Sequence, residues 1–287
     1  EMGAMGRIAI LVDSGCDLSK ALIEKMGIKV LPLKILYEDG EYLDGVNIEP
    51  QLVYDRFPGQ IPKTSTPNFA EITEAAKELK VAGYDQILAV CISSGLSSTY
   101  QNVCAALGEM EDIEFHAVDT KNISIGAGVL ALYAASLIKR GLSFEEVWRG
   151  VEENVENSRI FYYMDTLDYL RAGGRIGRVS GAIGSLLNIK PIISCNKQGV
   201  YHMVAMIRGQ KRGLKRLMDC VAEHCDEHRE AFLAVMHGAA PDVAKEVAAK
   251  VAERFPRAKI IMEKQINASL AVHTGPGLIG ILLFQAN

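Results

Sequence analysis

The chain has 287 residues, 49% hydrophobic and 23% charged, with a formal net charge of −4. That length allows one large domain or two modest ones, and the apolar fraction supports a full core and excludes a disordered chain. No apolar run approaches the ~18 residues of a membrane span, and residues 8–12 are too few for a signal-peptide core, so the expected location is the cytoplasm.

Residues 1–6, Glu-Met-Gly-Ala-Met-Gly, read as an expression remnant around an internal start methionine and are set aside. Residues 7–12 read as a strand running into Asp13-Ser14-Gly15. Asp17-Leu18-Ser19 opens a helix to Lys25 that Gly27 stops. Residues 28–37 are apolar and extended, and Asp39-Gly40 is a hairpin turn leading to 41–43. Lys63-Thr64-Ser65-Thr66-Pro67 precedes a helix with apolar positions at Phe69, Ile72, Ala76 and Leu79. Thr66 suits its cap and Pro67 its first position. Gly83 ends that helix, and a buried strand follows at 87–92. Ser98 and Gln101 fit a capping box for the next helix. A strand at 113–118 and helices at 126–140 and 144–157, the last capped by Ser143, complete a mostly parallel, doubly wound α/β pattern.

The second half mixes hairpins with helices. A helical turn at 166–170 precedes strands at 190–194 and 201–208 about a turn at 196–199. Helices at 213–227 and 241–255 alternate with strands at 231–236, 259–265 and 278–284. This predicts a second α/β domain with a mixed or antiparallel sheet. The boundary falls near 158–164, giving domains 7–160 and 161–287.

The strand at 87–92 ends in Ser93-Ser94-Gly95-Leu96-Ser97-Ser98-Thr99. In open α/β sheets ligands collect beyond the carboxyl ends of the strands, where helix N-termini offer N–H groups to an anion. Hydroxyls with no acid or base among them suit holding an anion more than reacting with it. Thr64-Ser65-Thr66-Pro67 and His273-Thr274-Gly275-Pro276-Gly277 are two further hydroxyl-bearing turns. Hydroxyls and one imidazole can hold a carboxylate without a full positive charge. Taken singly, the same residues also read as caps and a tight turn.

Residues 169–218 contain no Asp or Glu but ten cations, leaving 21 basic and 35 acidic residues elsewhere. Such a block, with Arg175, Arg178, Arg208, Lys211 and Arg212 at its centre, is a footprint for an anionic partner. Few interleaved aromatics and the acidic whole disfavour nucleic acid. Gly126-Ala127-Gly128-Val129-Leu130-Ala131 matches Gly-x-Gly-x-x-Ala but starts too far from its strand for a dinucleotide loop, so close helix packing is expected. No Gly-x-x-x-x-Gly-Lys phosphate loop occurs. A hydrolase elbow would need a glycine where Cys91 stands, although Ser93 with Asp13, Asp119 and His273 names a possible triad. The six cysteines form no Cys-x-x-Cys pair, which predicts reduced structural thiols and no metal site.

Five segments together resemble the DegV family of bacterial fatty-acid-binding proteins. They are Val12-Asp13-Ser14, Thr64-Ser65-Thr66-Pro67, the run from Ser93 to Gln101, Leu170-Arg171-Ala172-Gly173-Gly174-Arg175-Ile176, and His273-Thr274-Gly275-Pro276-Gly277. The resemblance covers nearly the whole chain; Ser98 departs from the family's usual glycine. It implies two α/β domains with a lipid tunnel between them, holding one long-chain fatty acid and needing no other cofactor. The carboxylate is then expected on Thr64, Ser65 and either Ser93 or Ser94, with His273 and Thr274 in the network. It further implies a separate ATP-binding fatty-acid kinase subunit as partner, with Arg175, Arg208 and Lys211 serving docking or phosphoryl transfer. Nucleic acid is not an expected partner, and membrane contact is at most transient. The alternative from another class is a serine-dependent hydrolase or transferase acting on a lipid or small anion.

Overall fold

The structure, a computed structural model, describes residues 6–179 and 188–287. Residues 1–5, and residues 180–187 of the acid-free window, lie outside the described residues.

The chain opens with β1 (Ile8–Asp13), a 3-10 turn at Ser14–Cys16, α1 (Lys20–Met26), β2 (Lys29–Leu31), β3 (Lys34–Tyr37) and β4 (Gly40–Leu43). Next come α2 (Pro50–Arg56), β5 (Lys63–Ser65), α3 (Phe69–Val81), β6 (Gln86–Cys91), α4 (Thr99–Gly108) and β7 (Glu114–Asp119). Two helices, α5 (Ile125–Lys139) and α6 (Phe144–Glu153), lead to β8 (Ser158–Tyr163). Then follow α7 (Asp168–Ala172), β9 (Ile189–Cys195), β10 (Tyr201–Arg208), α8 (Gln210–His224) and β11 (Phe232–His237). The chain closes with α9 (Pro241–Arg254), β12 (Lys259–Gln265), α10 (Ala268–Thr274) and β13 (Ile279–Phe284).

The first sheet is parallel throughout, in the order β2-β1-β6-β7. Its strands alternate faces. Leu11, Ile87 and Ala89 meet α3 and α4, while Ile10, Val12, Leu88 and Val90 meet α5 and α6. The order reverses between β1 and β6, which makes their carboxyl ends the switch point. The second sheet is mixed, in the order β10-β9-β8-β13-β11-β12, with only β11 and β12 parallel. It begins with β8 at Ser158, so residues 158–160 pair within it. A small antiparallel sheet, β4-β3-β5, adds the hairpin predicted at Asp39-Gly40 and a strand where a turn was expected at Thr64-Ser65.

Two caps differ from the sequence expectation. Helix α3 is capped by Asn68, in a reciprocal box with Glu71, rather than by Thr66. Ser98 precedes α4 but makes no side-chain cap bond. Two short helices, α2 and α10, have no counterpart in the periodicity reading.

Helix α5 is apolar nearly all round and packs between the two sheets. The Gly-x-Gly-x-x-Ala stretch serves this packing, because a Cβ on Gly128 would land on the Cys16 carbonyl oxygen. Gly128→Ala is therefore expected to destabilise by about 1–3 kcal/mol through overpacking. That exceeds the ~1 kcal/mol gained in helix propensity. Urea unfolding of the variant checks this, and a neutral or stabilised protein would contradict it.

Candidate functional site

The switch point is built by Asp13. Its buried carboxylate accepts from the N–H groups of Gly15 and Ile92, each at 2.9 Å, and so ties the loops after β1 and β6 together. Burial pushes this carboxyl up to about 7, against those two hydrogen bonds.

The loop after β6 folds onto itself. Ser93 Oγ donates to Gly199 O at 2.6 Å and accepts from Gly95 N–H at 3.1 Å. Ser94 Oγ donates to Asp119 Oδ2 at 2.5 Å, and Ser94 N–H donates to Asp119 Oδ1. Thr99 N–H donates to Ser97 Oγ at 3.2 Å. These N–H groups before α4, where an anion was expected, are thus taken by side chains. Neither Ser93 nor Ser94 lines the pocket, and Ser97 does. The hydrolase triad also fails on geometry. Ser93 is bonded to a carbonyl and Ser94 to a carboxylate, while the His273 imidazole is bonded to Thr64.

The pocket lies between this loop, β5 and α10. Thr64, Ser65, Thr66, Ser97, Ser269, Arg175 and His273 supply its polar wall, and Leu33, Ile92, Leu96, Ile123 and Leu270 an apolar one. The cavity measures about 50 Å³, room for roughly four waters.

His273 sits in the last turn of α10, with Nε2 2.6 Å from Thr64 Oγ1. Burial, and then the Arg175 charge, holds its pKa down at about 3, so the ring is neutral at pH 7. Nδ1 is buried without a partner among the described residues. Orphaned N–H groups are rarer in protein interiors than under-used acceptors. The bonding pattern therefore assigns the proton to Nε2, donated to Thr64 Oγ1. The Thr64 hydroxyl hydrogen is then free to point at a ligand. The loop after α7 comes this close only because residue 173 is glycine, whose Cβ would overlap His273 Nδ1.

Arg175 lines the same pocket, steadied by Gly173 O at 2.5 Å and Leu96 O at 3.4 Å. The other expected residues lie elsewhere. Thr274 is buried, and its hydroxyl donates to Leu270 O within α10. Arg208 ends β10, seven residues past the pocket residue Tyr201, which is roughly 20 Å along a strand. Lys211 is exposed in the first turn of α8.

The basic window is not one surface. Arg171, Lys190, Lys197, Lys215 and Arg216 pair with acids, all of them outside the window in sequence. Arg178, Arg208, Lys211 and Arg212 are exposed and make no ion pair among the described residues. The six cysteines are all free. Among the described residues, no His, Cys, Asp and Glu side chains gather as a candidate metal cluster, and no helix is long and apolar enough to cross a membrane.

Four pocket residues, Ser97, Tyr201, Ser269 and Leu270, escaped the sequence reading. Ser269 and Leu270 lie on α10, which Asn267 before an apolar run would have signalled as a helix start. Ser97 was one hydroxyl among several in its loop. Tyr201 looks like any strand residue and carried no signal.

Hydroxyls, a neutral imidazole and a cation thus stand beside apolar walls in a two-domain α/β protein. The chain belongs to the DegV family (uncharacterised protein, DegV family), which matches residues 7–286. A DegV domain-containing protein of Clostridium acetobutylicum is 37% identical over 286 residues, spanning 98% of this chain and all of the relative. Among solved structures, a DegV family protein from Thermus thermophilus, described by its fatty acid binding, superposes with a TM-score of 0.91 at 26% identity. That match covers 97% of this chain and 99% of the other. A stearic acid-binding protein from Eubacterium ventriosum gives 0.89 at 26% identity, over 97% and 98% of the two chains.

Because the folded pKa of His273 is depressed, neutral burial contributes stability above the unfolded value of about 6.5. That contribution is lost as pH falls from there toward about 3. Imidazole 15N NMR is expected to show no titration of His273 between pH 5 and 8. A midpoint near 6.5 would refute the neutral, buried assignment.

Proposed function

We propose that this chain binds one long-chain fatty acid and presents its carboxyl for phosphorylation by a separate ATP-dependent kinase subunit, giving an acyl phosphate. The observation that carries the lipid half is the Thr64–His273 pair facing Arg175 beside apolar walls. Thr64, Ser65 and Ser97 donate to the carboxylate, and Arg175 supplies the opposite charge. Ser93 and Ser94 build the loop instead of touching the ligand. Arg175, expected among the kinase-facing residues, is in this reading part of the carboxylate site.

Each buried methylene adds about 0.8 kcal/mol, so affinity comes from the acyl chain and orientation from the hydroxyls. Pockets for ligands of this class usually measure about 300–1,000 Å³. A larger cavity of about 770 Å³, lined by Val12, Leu18, Ile23, Ile48 and Ala268, adjoins the same β1 and α10 segments and has the volume for the acyl chain. Relatives described as binding fatty acid and stearic acid support this reading. The chain has no phosphate loop, so ATP arrives with the partner, and Arg208, Lys211 and Arg212 offer unpaired charge for docking. The setting is the cytoplasm, with at most brief membrane contact.

Native mass spectrometry is expected to find about one fatty acid per chain. A protein that purifies empty and refuses oleate and palmitate would overturn the reading. Arg175→Ala should weaken oleate binding by about 10- to 100-fold, the cost of a charge-assisted hydrogen bond. Arg208→Ala should leave oleate affinity unchanged and slow phosphorylation by the kinase subunit. Titration calorimetry and a coupled kinase assay read the two effects separately.

A further inference from the structure

Two buried carboxylates take no part in the pocket. Asp17 is 1% exposed and Asp44 2%. Both reach α10, the helix that carries Ser269, Leu270 and His273 to the pocket wall. Asp17 Oδ1 accepts from Asn267 N–H, at the cap of α10, at 2.7 Å. Its Oδ2 accepts from Ser124 Oγ at 2.5 Å, just before α5. Asn267 does not cap its own helix; its amide donates to Ser14 O at 2.8 Å and accepts from Lys264 Nζ at 2.7 Å. Asp44, on the loop after β4, accepts from Ser269 Oγ through Oδ2 at 2.5 Å.

Helix α10 has seven residues, too few to hold its own geometry, because isolated helices shorter than about 12 residues are marginal. Its placement comes from its contacts. Ala268, Ala271 and Val272 pack on Ile35, Val53 and Tyr54, which fixes its depth. Apolar packing of this kind resists rotation weakly, whereas the hydrogen bonds at Asn267 and Ser269 are directional. Ser269 and His273 are four residues apart and share one helix face. A shift at Ser269 is thus passed directly to the imidazole, whose 2.6 Å bond to Thr64 tolerates little displacement.

We propose that Asp44, with Asp17 fixing the same turn, positions His273 and through it the Thr64 hydroxyl, although neither acid touches a ligand. The consequence for affinity rests on the carboxylate-binding reading of the pocket, while the consequence for His273 does not.

The test uses Asp44→Ala and Asp44→Asn in the full chain, which share the loss of charge and differ in whether an acceptor for Ser269 remains. Without ligand, Asp44→Ala is expected to move the His273 imidazole resonances, and Asp44→Asn to return them most of the way. Oleate affinity should fall about tenfold in Asp44→Ala, the scale of one lost directional bond, and recover in Asp44→Asn. In a His273→Ala background, Asp44→Ala should cost nothing further. Unmoved His273 resonances would overturn the proposal. So would an Asp44→Ala loss that adds in full to that of His273→Ala, since that marks a general structural defect. Should Asp44→Ala fail to fold, Ser269→Ala removes the donor of the same bond and is read by the His273 resonances alone, because Ser269 itself lines the pocket. If the wild-type chain binds no oleate, the pocket reading fails, and the imidazole shift still decides the positioning role.

Discussion

Helix α5 packs on two sheets at once, and both halves of the pocket depend on that. Its residues meet Val12, Leu88 and Val90 of the parallel sheet, and Ile160, Tyr162 and Leu282 of the mixed one. The domains cannot separate without exposing this shared core, at about 25 cal/mol for each Å² of apolar surface. With that spacing set, the loops after β1 and β6 face α10 and Arg175 across a fixed gap. Neither domain alone has a complete site. Thr64 and Ser97 come from one, Arg175 and His273 from the other.

The same gap sets the electrostatics. Buried groups there settle in neutral or tightly bonded forms, because a bare charge in a low-dielectric site is costly. His273 loses its proton for this reason, and burial raises Asp44 to about 6 against its hydrogen bond from Ser269. Arg175 stands at the half-buried edge, where its guanidinium lines the pocket wall. The polarity of the pocket therefore arises from one cation and several neutral donors.

Long periodic elements were legible in the sequence: β1, β6, α3, α5 and β12 fall close to their predicted spans, and the parallel-then-mixed sheet order follows from them. The short helices were not. α2 and α10 are stabilised by mutual packing of Val53 and Tyr54 on Ala271 and Val272, a contact between residues some 200 positions apart that no local pattern encodes. Hydroxyl-rich loops were legible as loops but not residue by residue. Ser93, Ser94 and Ser97 are chemically alike, and only the placement of Gly199 and Asp119 decides which one is left for the pocket. The acid-free window misled for a related reason. Lys197 and Lys190 find Glu156 and Asp165 just outside it, so charge counted along the chain overstated charge on the surface.

The cavity of about 50 Å³ has a further consequence. It has room for a head group and none for a long acyl chain, so on the proposed reading the chain would have to run into the larger cavity of about 770 Å³ beside Leu18, Ile23 and Ile48. Orientation would then be set in one compartment and affinity in another, and ligands of unequal length would share one head site.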